Sequence, residues 1–233
     1  MMLNKDSWFE DIYKFRFEIF FISLLSILFS GIFFPENIFN IDVAPFLYLI
    51  NAFSGILVVF KSKKNINFAK ILLIVIFLHF IISFFLKQNS RYFEVFKLIA
   101  FSVFYVLITY DLIKQVLLAA IIDRNVIFGL MCGYFCIGLV CSFMFITIEI
   151  FYPGSFNGVV SDGGYIKEYS SLVYFSYITL LTIGFGDITP ITLLAKKATL
   201  LTGFMGQFYM VILTAIIVGK YISQLDNERR EIE

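Results

Sequence analysis

The chain has 233 residues, of which 60% are hydrophobic and only 15% charged, too few polar groups to cover the surface of a water-soluble domain. Its 18 basic and 17 acidic residues leave a net charge of +1, which excludes the basic field that nucleic acid requires and an acidic field for a cationic partner. The balance indicates a membrane protein.

Residues 1–16 mix Lys5, Lys14 and Arg16 with Asp6, Glu10 and Asp11 and lack a small-residue cleavage site, so a cytoplasmic N-terminus is expected, with the first apolar span as signal anchor. A helix crosses the roughly 30 Å hydrocarbon layer in about twenty residues. By that ruler a peripheral domain at 17–110 holds four crossings, at 17–34, 44–60, 68–86 and 93–110. The first stops at Pro35 and Glu36, the second at Lys61, Lys63 and Lys64. Residues 111–125 carry Asp111, Lys114, Asp123 and Arg124 among one-sided apolar positions and read as an amphipathic connector along the membrane surface. A pore domain at 126–222 follows, with crossings at 126–151 and 193–222 around an apolar stretch, 169–181, too short to span. That stretch is expected to be re-entrant. Residues 223–233 form a cytoplasmic tail that can extend the last helix.

Basic residues gather in cytoplasmic loops, which places Lys61, Lys63, Lys64 and Lys70 inside and, by parity, both termini inside as well. Lys87, Arg91 and Lys97 dissent, falling outside. Flipping the chain to suit them would move the re-entrant segment to the cytoplasmic face.

Between the last two crossings the chain reads Tyr174-Phe-Ser-Tyr-Ile-Thr-Leu-Leu-Thr182-Ile183-Gly184-Phe185-Gly186-Asp187, a short helix from Ser171 to Leu181 running into a glycine-punctuated strand. This pattern suits ion dehydration. An ion in a narrow pore must exchange its water for oxygens at matched distance, and backbone carbonyls aimed at one axis supply them most densely. Aiming successive carbonyls the same way requires alternating left-handed residues, which Gly184 and Gly186 reach without steric cost. Thr182 can add its hydroxyl, while Ile183 and Phe185 point away from the axis, with Tyr174, Phe175 and Tyr177 as surrounding wedges. The helix before the strand aims the partial negative charge of its carboxyl end at a waiting cation. Asp187 stands at the outer mouth, where a ring of carboxylates concentrates cations.

Thr-Ile-Gly-Phe-Gly-Asp resembles the potassium-channel signature Thr-Val-Gly-Tyr-Gly-Asp, a filter whose backbone carbonyls replace the ion's hydration shell. The resemblance extends to Gly206, nineteen positions after Asp187, where such channels carry an inner-helix hinge. Gly206-Gln207-Phe208-Tyr209 and Ile216-Ile217-Val218-Gly219 look like the inner helix of bacterial members, and Glu149 with Tyr152-Pro153-Gly154-Ser155-Phe156 resembles their outer helix, in which the glutamate supports the filter's outer loop. The resemblance implies an all-α homotetramer in a cell membrane, that of a bacterium. Each subunit would give four peripheral helices, an outer helix, a re-entrant pore helix with selectivity filter, and an inner helix. K+ would be the permeant ion, held at Thr182, Ile183, Gly184, Phe185 and Gly186, with lipids as the other partner and no cofactor. Three positions depart from the pattern. Leu181 replaces a second threonine, Phe185 replaces tyrosine, and Ile178 stands where some members pair a glutamate with the filter aspartate. The departures leave a weakly selective cation channel as the alternative.

Other features have plainer readings. Gly206 can hinge the helix or permit close packing, and Glu149 can support the loop or snorkel at the boundary. Cys132, Cys136 and Cys141 read as small core residues, His79 as a packed or hydrogen-bonded helix residue, and Lys196 and Lys197 as interfacial anchors. From Leu98 to Tyr110 the fourth crossing has no basic residue, so strong voltage gating, which needs several charges moving through the field at about 2.3 kcal/mol per charge per 100 mV, is not expected. No enzyme motif occurs.

Overall fold

A computed structural model describes residues 10, 12–33, 43–60, 62, 65–86, 91–159 and 165–232. The chain is all-α. Its helices are α1 (Arg16–Phe29, prolonged by a 3-10 turn, Ser30–Ile32), α2 (Ala44–Val59), α3 (Ile66–Leu86), α4 (Arg91–Leu118), α5 (Arg124–Phe151), α6 (Tyr165–Leu180), α7 (Leu193–Phe208) and α8 (Thr214–Ile232), the last two joined through a π-helical turn, Tyr209–Leu213. Two short strands, β1 (Phe156–Asn157) and β2 (Thr189–Pro190), pair antiparallel with Phe156 opposite Pro190. Among the described residues four helical stretches are long and apolar enough to cross a membrane, within α3, α4, α5 and the α7–α8 run, while α2 is shorter. Except for Val43, the expected external loop at 35–43 lies outside the described residues, as do Lys61, Lys63, Lys64 and Lys87.

Helices α1 to α4 pack against one another and, through α1 and α4, against α5. Phe20, Leu24, Phe104, Ile108 and Phe145 are fully buried at the centre. A polar network sits in the same core. Asn51 donates to Ser23 Oγ at 2.7 Å, Ser23 and Ser54 hydroxyls meet at 2.8 Å, and the Tyr105 hydroxyl donates to Asn51 Oδ1. Each group of this network has a partner, as a low-dielectric interior requires. His79 stacks on Phe93, with centroids 3.9 Å apart and a ring nitrogen 3.3 Å from the Phe93 carbonyl. Cys132, Cys136 and Cys141 are buried free thiols.

The structure departs from the expected surface connector. Instead of ending at Tyr110, α4 runs unbroken to Leu118, leaving only 119–123 to turn the chain into α5. Asp111, read from sequence as a surface charge, is 2% exposed and accepts from Asn65 Nδ2 at 2.8 Å. With the acid taken into the fold, nothing interrupts the helix. The turn is then fixed from both sides: Asp123 caps α5 by accepting from Val126 N at 3.0 Å, and Lys220 of α8 donates to the carbonyls of Leu117 and Ala119. The α6 helix also starts earlier than expected, at Tyr165 instead of Ser171.

Candidate functional site

Helix α6 is seated against α5 by side chains that enter notches left by glycine. The Tyr177 ring lies where a Cβ on Gly138 would come within 2.3 Å of it, and its hydroxyl donates to the Phe135 carbonyl at 2.7 Å. Ser176 Oγ donates to the Gly138 carbonyl at 2.9 Å and meets Ser142 Oγ at 2.7 Å. Phe175 closes a triad with Phe145 and Phe156, at centroid distances of 5.1 and 5.5 Å. Of the three aromatic residues expected to wedge the filter, Phe175 and Tyr177 therefore face α5 and anchor the helix that carries it. Tyr174 alone turns to the strand after α6, where its hydroxyl lies beside the Asp187 carboxylate. Ile178 holds no acid for that aspartate.

A helix leaves its last four carbonyls without intrahelical partners. In α6 all four are satisfied. Tyr177 O accepts from Leu181 N at 2.8 Å, Thr179 O from Thr182 N at 3.0 Å, and Ile178 O from both Ile183 N and Gly184 N at 2.9 and 3.3 Å. Leu180 O accepts from the Tyr134 hydroxyl at 3.0 Å. The first residues of the strand are thereby folded back onto the helix end.

Beyond this cap the backbone alternates. Thr182, Gly184 and Gly186 have φ of 59°, 56° and 83°, with Ile183 and Phe185 between them in ordinary conformations. Thr182 is the only non-glycine residue at positive φ among the described residues. For a β-branched side chain that conformation costs about 1–3 kcal/mol and persists where neighbours enforce it. The glycines were legible in the sequence; the threonine was not, because its type argues against the conformation it adopts. Residues 181–187 are all exposed in the single chain, Ile183 at 51% and Phe185 at 71%.

The outer end is braced by Glu149. It is 6% exposed, which rules out snorkelling, and its carboxylate accepts from the backbone N–H of Gly154, Ser155 and Phe156 at 2.6, 3.0 and 3.2 Å. The loop so held pairs β1 with β2, accepts Ile191 N on Ser155 O at 2.7 Å, and lays Gly158 on Asp187, where a Cβ would stand 2.0 Å from the Asp187 carbonyl. Gly158 was not singled out from the sequence. Its φ of +85° and this close approach both require glycine.

On the opposite side, Gly206 of α7 meets the end of α6. A Cβ there would lie 2.2 Å from the Leu180 carbonyl oxygen, so between hinge and packing the observed contact is packing. One turn later the Tyr209 hydroxyl donates to the Leu130 carbonyl of α5, within the π-helical turn.

Residues 134–223 match the family model for an ion channel. The matched stretch contains most of α5, all of α6, the alternating strand and α7, and it marks this part of the chain as an ion-channel domain rather than an enzyme. No curated protein and no solved structure matches the chain. The matched region and the apolar helices together make the protein a multi-pass membrane protein.

Proposed function

We propose that the chain is one subunit of a homotetrameric, potassium-selective channel whose filter is Thr182-Ile183-Gly184-Phe185-Gly186, with Asp187 at its outer mouth. In this reading the chain crosses a bacterial cell membrane six times, with both termini cytoplasmic, and conducts K+ passively. The observation that carries the reading is the alternation of left-handed residues at 182, 184 and 186. That alternation turns successive carbonyls to one side, where they can replace the hydration shell of a bare cation. One chain supplies one wall. Four copies around an axis would complete the ring and cover Ile183 and Phe185, which one chain leaves bare.

Glu149, Tyr174, Phe175 and Tyr177 support the filter in different ways. Glu149 fixes the outer loop, Tyr174 lies beside Asp187, and Phe175 and Tyr177 set the pitch of α6. Gly206 lets the inner helix close on the filter's base. The end of α6 contributes its dipole more than its oxygens, since its last carbonyls are already occupied. Strong voltage gating is not part of the proposal, because α4 has no basic residue from Leu98 to Tyr110.

Purified protein in planar bilayers, with K+ on one side and Na+ on the other, tests the reading. A reversal potential near the K+ equilibrium value supports it, and a value near zero supports a weakly selective cation channel. The second reading is favoured by Phe185, which has no hydroxyl with which to tie the filter to its surroundings. Absence of any current from folded tetramer refutes both.

A further inference from the structure

A lateral groove of about 530 Å³ opens where α4, α5 and α7 converge. Ile99 and Val103 of α4, Met144 and Ile148 of α5, and Leu201 of α7 form its apolar walls, and Lys197 stands on its rim. All three helices contribute from one end of the molecule. The walls come from early in α4, late in α5 and early in α7, at the end where the Glu149 loop and Asp187 lie. The groove therefore sits at the depth of one bilayer leaflet, with its rim toward the headgroups.

Lys197 is placed against the local rule for helices. It lies near the N-terminus of α7, whose first turn contains no acid, so its charge adds to the positive end of the dipole. The ion pairs of the described residues lie elsewhere, Glu94 with Lys97 and Glu18 with Arg124, and Lys197 has no ionic partner among those residues. An apolar trough ending at an uncompensated ammonium is complementary to an amphiphile with one long chain and an anionic head. Lysine stems lie along apolar surface and carry the charge to the interface, where a phosphate supplies the missing partner.

We infer that this groove binds an anionic phospholipid of the surrounding bilayer, an acyl chain along the walls and the phosphate on Lys197. The lipid then packs against all three helices at once, one turn from the carboxylate that holds the outer loop. The site requires only that the chain lies in a membrane, and it does not depend on which ion is conducted.

Native mass spectrometry of the full-length protein, extracted from vesicles of equal phosphatidylglycerol and phosphatidylcholine, tests the inference. Wild type is expected to retain phosphatidylglycerol preferentially. Lys197→Gln is expected to lower that preference roughly fivefold, the effect of one basic residue at a membrane surface, whereas Lys196→Gln leaves it unchanged. Leu201→Trp, which fills the trough, is expected to lose both retained lipids while the protein stays folded by circular dichroism. Equal retention of the two lipids by wild type overturns the inference. So does an equal effect of the two lysine variants, or no retained lipid at all, as when a second copy covers the groove. The readout is lipid mass, so it stands or falls apart from any measurement of current.

Discussion

The bundle formed by α1 to α4 and the region from α5 to α8 are made of the same kind of helix, yet the polar groups at their centres are put to different use. In the bundle, Ser23, Asn51, Ser54 and Tyr105 satisfy one another in a sealed core. In the second region Tyr134, Tyr177, Ser176 and Glu149 all reach main-chain atoms of another element. The first pattern holds helices together. The second holds a backbone in a shape it would not adopt alone, and it leaves the strand at 181–187 exposed in the single chain. In the proposed channel the main chain is the working surface, and the side chains are its scaffolding.

Substitutions in the two regions should therefore separate stability from conduction. The largest effect is expected for Glu149→Ala, which strips the acceptor from three backbone N–H groups and costs about 4 kcal/mol. Denaturant midpoints of purified protein should fall accordingly and flux should disappear; an unshifted midpoint would show the loop to be held by other means. Next comes Gly206→Ala. Its new methyl meets the Leu180 backbone, which cannot yield as a side chain can, so α7 must move at a cost of about 3 kcal/mol. K+ flux from liposomes should drop sharply, and normal flux would exclude the close contact of α7 with α6.

In the bundle, Tyr105→Phe leaves Asn51 Oδ1 buried without its donor, at about 2 kcal/mol. Here the midpoint should fall while flux per folded channel stays at the wild-type level. A parallel loss of flux would contradict the division of labour between the two regions. The smallest change in stability is expected for Tyr174→Phe, which removes the hydroxyl that lies beside Asp187. It should nonetheless lower flux per folded channel, the reverse of the Tyr105 result, and a silent variant would show that Asp187 needs no brace.

The positions of the apolar helices and of the alternating strand were readable from the sequence because they rest on local properties: run length, hydropathy, and glycine where left-handed backbone is needed. Properties that depend on a distant partner were not readable. Asp111 looks like an interruption until Asn65 is beside it, and so α4 was expected to end about two turns too soon. Gly138 and Gly158 carry no sign in the sequence of the Tyr177 ring or the Asp187 carbonyl that each must admit. Thr182 misleads outright, since its β-branch disfavours the conformation that the cap on α6 imposes. The aromatic residues Tyr174, Phe175 and Tyr177 were picked out as wedges, but which of them face the strand depends on the rotation of α6, and that is set by the notch at Gly138.

The Leu180 carbonyl lies between the Tyr134 hydroxyl on one side and the bare Cα of Gly206 on the other. There is no slack at this point: a tilt of the lining helix toward α6 would press on the very peptide unit from which the strand departs. The base of the strand and the position of α7 are thereby a single mechanical coordinate, and in the proposed channel a stimulus that bends the helix below Gly206 has a direct route to Thr182.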